Sequence, residues 1–184
     1  SELVALSKKS PSELTFASPG EGSVPHLAVE LLKILTGMPM THIPYKGVAP
    51  ALTDLIGGQI HALVSTMPSA TPHIQSGRIR ALAVASLKRA AVVPNVPTFQ
   101  ESGFPGFEAS AWNAVLAPAG TPGDIIARLN QAIVRIVHSP EVKEKLAAQG
   151  AEPVGDAPDQ FGAYLRAEVA KWAKVVHDAK LRIE

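Results

Sequence analysis

Apolar residues in the first half of the chain fall into two kinds of block. Leu14 to Ala17, Met40 to Pro44, Ile60 to Val64 and Ile79 to Ala85 are short runs of strand length, bounded by Pro, Gly and Ser. Between them the spacing turns helical. Ala28, Leu31, Leu32 and Leu35 share one face, with Gly37 as the stop. A helix is predicted around Pro50 to Ile56, ended by Gly57-Gly58, and a shorter one reaches Gly77. Ser10-Pro11-Ser12-Glu13 has capping-box spacing, with Pro at the first helical position and room for only a short turn. Strands and helices alternating through short loops predict an α/β fold, doubly wound about a mostly parallel sheet covered on both faces.

The pattern changes between Val92 and Pro105, where Pro94, Pro97 and Pro105 crowd together as in a connection between lobes. Phe107 to Ala117 predicts one long strand or two short ones. Three helices follow. Thr121-Pro122-Gly123-Asp124 caps the first, with Ile126, Leu129, Ile133 and Ile136 on one face. Ser139-Pro140-Glu141 opens the second, stopped by Gly150. Asp156 is expected to cap the third, whose stripe of Phe161, Tyr164, Leu165, Trp172, Val175, Val176 and Ala179 must be buried against something.

The 184 residues suffice for one good core or two small lobes, and 46% hydrophobic with 18% charged residues marks a globular chain. With 17 Lys+Arg against 16 Asp+Glu and 5% aromatics, no basic face or stacking platform points to nucleic acid. The absence of cysteine excludes disulfides, thiolate metal sites and cysteine nucleophiles, and leaves the compartment open. No stretch is long and apolar enough to span a membrane, and no signal peptide is visible. The opening Ser-Glu-Leu-Val-Ala-Leu is already apolar-periodic, as expected of a mature, truncated or fragmentary chain.

Three loops carry candidate chemistry. Ser18-Pro19-Gly20-Glu21-Gly22-Ser23 follows a strand and opens a helix. Gly20 and Gly22 permit close backbone approach, Ser23 is the expected N-cap, and the helix N-terminus favours an anion. The dinucleotide fingerprint fails at its third glycine, so an ordinary tight turn with a cap is the competing reading. Tyr45-Lys46-Gly47 offers a cation and a hydroxyl donor, against a solvated Lys and a packed Tyr. Ser65, Thr66 and Ser69 end the third strand, where hydroxyls also serve as simple caps. In a parallel sheet all three loops converge on one edge, giving a polar, anion-friendly mouth.

The six histidines, His26, His42, His61, His73, His138 and His177, show no metal-ligand spacing. Only His26 lies near a candidate loop. No nucleophile elbow, complete P-loop or nucleophile–base pair is found, so no catalytic residue, metal or cofactor is assigned.

Leu14-Thr15-Phe16-Ala17-Ser18-Pro19-Gly20-Glu21-Gly22-Ser23 with His26-Leu27-Ala28 resembles the Bug (TctC-like) receptors, periplasmic solute-binding proteins of tripartite tricarboxylate transport systems. Pro44-Tyr45-Lys46-Gly47, Ala49-Pro50-Ala51-Leu52-Thr53-Asp54-Leu55, Gly57-Gly58-Gln59, Pro68-Ser69-Ala70, Arg80-Ala81-Leu82-Ala83-Val84 and Val96-Pro97-Thr98 continue the match. So do Ala117-Pro118-Ala119-Gly120-Thr121-Pro122 and Ala148-Gln149-Gly150-Ala151-Glu152-Pro153, over nearly all the chain.

The resemblance implies a periplasmic-binding-protein-like architecture of two lobes closing on a ligand. Residues 1–105 would be the second lobe and 106–184 a mainly helical C-terminal return into the first, whose N-terminal part is missing. It implies a carboxylate receptor that works with membrane transporter subunits. The expected ligand-facing residues are Ser18, Gly20, Gly22, Ser23, His26, Tyr45, Lys46, Ser65 and Thr66. Amino-acid-binding members end the third strand of this lobe on an aspartate that holds the ligand's amine. Ser65 stands at that position here, so an uncharged-tail mono- or dicarboxylate is the better expectation. The C-terminal stripe is expected to be buried against the second lobe, or in a homo-oligomer or domain swap. The competing classes are a ligand-sensing or interaction domain of a signalling system and an α/β enzyme acting on small carboxylates.

Overall fold

Four residues, Thr15–Ser18 (β1), form the central strand of a three-stranded sheet in this computed structural model, which describes residues 2–9 and 14–182. Helix α1 (Glu2–Lys9) precedes it, and the Ser10 to Glu13 capping box lies outside the described residues. Strands β2 (Thr41–Pro44) and β3 (Ala62–Leu63) flank β1 in the order β2-β1-β3, both parallel to it. Thr15 pairs with Thr41 and Ser18 with Pro44; Phe16 and Ala17 pair with Ala62 and Leu63. Parallel neighbours require crossovers. Helices α2 (Val24–Thr36) and α3 (Val48–Ile56) supply them, and α4 (Met67–Gln75) follows β3.

The two-residue period of β1 divides the core. Phe16, 1% exposed, faces one side with Ala28, Val29 and Leu32 of α2 and with Met38, Met40, Phe107 and Ala109. Ala17 faces the other side with Ala51 of α3 and Ile60. Both faces are therefore covered. Helix α2 starts at Ser23, whose hydroxyl accepts from the His26 N–H, and stops at Gly37, which takes the left-handed conformation (φ 65°) and donates its N–H to the Lys33 carbonyl.

Two expected strands do not form. In the Ile79 to Ala85 run only Val84 pairs, in a single bridge with Thr98. The Val84 N–H donates to the Pro97 carbonyl, and the Val84 carbonyl accepts from the Phe99 N–H. The Phe107 to Ala117 segment joins no ladder; Ala109 donates to the Ala85 carbonyl, and residues 111–120 are all solvent-exposed. An extended segment becomes a strand only where a neighbour supplies the matching N–H and C=O groups, and among the described residues no such neighbour lies beside 111–120.

The three C-terminal helices are α5 (Gly123–Val137), α6 (Pro140–Ala148) and α7 (Pro158–Asp178). The α7 cap differs from expectation. Ala157, not Asp156, holds the N-cap position, and the Gln160 side chain accepts from the Ala157 N–H at 3.1 Å. Likewise Pro122 rather than a hydroxyl residue precedes α5. The α7 stripe lies against α2: Val175 is buried and Trp172 packs on the core beneath α2. Buried Glu168 anchors that contact, accepting from the Trp172 indole at 3.0 Å and the Trp112 indole at 3.4 Å and pairing with Lys171. Burial pushes its carboxyl up, but Lys171 and the indole donors outweigh burial and leave it below its ordinary value. Leu129 and Ile136 of α5, with Val115, Leu116, Val154 and Val169, remain exposed.

Phe16 fills the space between sheet and α2, so Phe16→Ala is expected to cost about 3–5 kcal/mol, measured by urea unfolding.

Candidate functional site

All three strands run the same way, so their carboxyl ends lie on one edge of the sheet, and each is followed by a helix. The N-termini of α2, α3 and α4, at Ser23, Gly47 and Thr66, therefore gather there. Direct bonds tie the first two loops: the Tyr45 N–H donates to the Ser18 carbonyl at 3.0 Å and the Gly47 N–H to the Pro19 carbonyl at 2.9 Å. Gly47 adopts φ 111°, a conformation that turns β2 directly into α3. The backbone N–H groups of Glu21, Val24, Val48, Ala49 and Met67 have no acceptor among the described residues. Orphan donors at helix starts are the elements of an anion site.

The side chains of the first loop are turned differently. Ser18, two residues after Phe16, shares its buried face and is 0% exposed. Its Oγ lies 2.9 Å from the Gly20 carbonyl and 2.7 Å from His42 Nε2, and accepts from the Gly20 N–H at 3.3 Å. The Ser23 hydroxyl donates to the Gly20 carbonyl at 2.7 Å, so it closes the loop as well as capping α2. Gly22, with φ 68°, donates its N–H to His26 Nδ1 at 3.1 Å. The polar side chains of this loop thus fix its shape and leave the Glu21 and Val24 N–H groups without an acceptor among the described residues.

In the second loop the Tyr45 hydroxyl donates to Asp54 Oδ2 at 2.6 Å, and that hydrogen bond raises its phenol above the ordinary value. Lys46 is exposed. In the third, Ser65 is half-buried and Thr66 exposed, with Thr66 Oγ1 3.3 Å from the Ser69 hydroxyl. Gly150 brings the C-terminal half close to this loop. A Cβ there would fall 2.9 Å from Val92 Cγ2 and 3.1 Å from Met67 Cβ, at φ +70°.

Beneath the first loop, His26 and His42 stack with ring centroids 3.9 Å apart and planes 12° apart, and His42 stacks in turn on Phe16. Burial, then the neighbouring His26 and Lys33, push His42 down to about 4. Burial also lowers His26 below 6.5, against the pull of Glu30 and Glu21. A cleft of about 360 Å³, lined by Glu21, His26, Glu30, His42, Lys180, Leu181 and Arg182, opens beside the pair. Among the described residues, no group of three or more His, Cys, Asp or Glu is placed to hold a metal ion, and no helix is long and apolar enough to cross a membrane.

An α/β layer with its helix N-termini gathered at the strand ends is the arrangement in which doubly wound folds form a binding crevice. Its family is shown by sequence: the profile of the tripartite tricarboxylate transporter family receptor matches residues 1–181, and the chain belongs to that family. It is 43% identical to protein BugT of Bordetella pertussis over 182 residues, which is 99% of this chain and 56% of BugT. It resembles an R. palustris protein solved with adipate, at 38% identity and a TM-score of 0.87 over 97% of this chain and 60% of that one. MatC of Rhodopseudomonas palustris, solved with bound malate, superposes with a TM-score of 0.80 at 33% identity, covering 95% of this chain and 60% of MatC. The chain thus spans a little over half the length of these relatives.

Sequence reasoning did not single out His42, Asp54 or Gly150. Each acts through a partner in another element, and spacing along the chain carries no signal of that.

Both histidines are held neutral in the fold and take up protons more readily when unfolded. The unfolded state therefore binds more protons between pH 6.5 and about 4, and stability falls as pH drops through that window. The melting temperature is expected to decline across it, and His42→Phe, which keeps the stack, to flatten the decline in thermal scans.

Proposed function

We propose that this chain forms one wall of an extracytoplasmic receptor for a small organic carboxylate, which it delivers to a tripartite tricarboxylate transporter. The observation that carries this reading is the gathering of three helix N-termini, with unpaired N–H groups, at one sheet edge. Backbone donors backed by helix dipoles bind a carboxylate without any proton transfer, and the site needs no catalytic group. The solved relatives with adipate and malate support a dicarboxylate ligand. In this reading the N–H groups of Glu21, Val24, Val48, Ala49 and Met67 contact the carboxylate, and exposed Lys46 supplies the counter-charge. Ser65 and Thr66 line the rim. Ser18, Gly20, Gly22, Ser23 and His26 shape the first loop, and Tyr45, held by Asp54, sets the second.

Ser65 cannot balance an ammonium, so adipate and malate should bind in preference to aspartate and glutamate. A larger rise in melting temperature with the dicarboxylates is the expected result, and a larger one with the amino acids overturns the ligand class. Lys46→Ala should weaken adipate binding roughly tenfold, about 1.4 kcal/mol, by calorimetric titration.

Residues 1–105 would act as the binding lobe and 106–184 as the segment that returns to the other wall. The exposed apolar side chains at Val115, Leu116, Leu129 and Ile136 support this division, because single-lobe proteins rarely leave such a patch uncovered. Relatives extend well beyond the matched span, and further polypeptide of that kind is the occupant this surface fits. The 184-residue chain by itself should then self-associate through it. Sedimentation that shows a monomer at all concentrations argues against this role for the patch.

A further inference from the structure

We propose that His26 is a positioning residue for the carboxylate-facing loop, locking Gly22 in place only while its ring is neutral, and that His42, stacked on it, opposes its charging. The proposal rests on the reading of the Ser18 to Ser23 loop as ligand-facing, but the lock itself is a property of the chain without ligand.

The geometry leaves His26 one place to take a proton. Its Nδ1 accepts from the Gly22 N–H at 3.1 Å, so in the neutral ring the proton sits on Nε2. Protonation adds a hydrogen at Nδ1, and the acceptor is lost. Two N–H groups then face each other, and Gly22 must swing away. Gly22 lies between Glu21 and Ser23, beside two of the unpaired N–H groups assigned to the ligand. The same swing therefore moves the donors of Glu21 and Val24.

His42 resists the charging of His26. Its ring lies 3.9 Å from His26, so a charge on either ring opposes a charge on the other. It also stands 2.7 Å from the Ser18 hydroxyl, which holds the loop's first turn through Gly20. The charged groups facing the pair come from α2, the first loop and the segment after α7. Glu30 of α2 has Oε1 3.9 Å from His26 Nε2, and Lys33 lies one turn further along. Glu21 belongs to the loop, and Lys180 and Arg182 close the cleft from beyond α7. β1 contributes no charged group, only the Phe16 ring and the Ser18 hydroxyl. The two carboxylates favour charging and the three cations oppose it. The cleft admits solvent, so protons reach the rings without unfolding.

The test is a pH titration of the protein by nitrogen-15 NMR, following both imidazoles and the Gly22 amide. The expected result is a neutral His26 with its proton on Nε2, titrating below 6.5, and a Gly22 amide that shifts with the same midpoint. His26→Asn places a non-titrating amide oxygen near the position of Nδ1, and should hold the Gly22 amide in place across the range. A Gly22 amide that ignores His26 titration, or a neutral His26 with its proton on Nδ1, overturns the lock. Adipate affinity is then measured at pH 7 and pH 4.5. A drop of at least about fivefold in the parent, absent in His26→Asn, ties the lock to ligand binding; equal drops in both overturn that tie. Failure of adipate and malate to bind at either pH would sink the receptor reading and leave the NMR result to decide the lock.

Discussion

The parallel ladder on β1 is the constraint from which the rest of the structure follows. Four residues pair with β2 on one side and two of them with β3 on the other. Because every strand points the same way, each must be followed by a crossover, and every crossover helix must begin at the same edge. The site is therefore a consequence of topology before it is a consequence of any side chain. Three helix starts meet there, and the N–H groups of Val24, Val48, Ala49 and Met67 have no acceptor among the described residues. Pro25, Pro50 and Pro68 near those starts each remove one N–H group, so the donors that remain are few and fixed in position.

Side chains then divide their labour around this edge. Ser18, Ser23, His26 and His42 spend their hydrogen bonds holding the first loop, and the Tyr45–Asp54 bond holds the second. A rigid loop presents its backbone donors without an ordering cost at the moment of binding. The same economy places a titratable pair directly under the loop. Burial suits it to neutrality, and acid sets that burial against the loop's own geometry.

Much of the first section was legible along the chain. β1, α2 and β2 announce themselves by periodicity, and Ser23 and Gly37 mark the ends of α2. The inward turn of Ser18, expected among the ligand-facing residues, follows from its place two residues beyond a core phenylalanine, whose face it shares. What was not legible depends on partners. Ile79 to Ala85 and Phe107 to Ala117 have strand composition, but a strand is made by its neighbour, and they have only a single bridge and isolated bonds. The apposition of His42 with His26 arises from the register of β2 on β1, which fixes His42 opposite Phe16. The α7 start is held by Gln160, three residues in, whose side chain reaches back to the Ala157 N–H, rather than by the carboxylate expected at Asp156.

The central claim is that a carboxylate binds the backbone donors at the carboxyl edge of the sheet. Titrating the nitrogen-15 labelled protein with adipate and mapping amide shifts tests it directly. The account predicts the largest changes at Glu21, Val24, Val48, Ala49 and Met67, the amides without an internal acceptor. Saturable binding with changes confined to α5, α6 and α7, and none at the sheet edge, would contradict it.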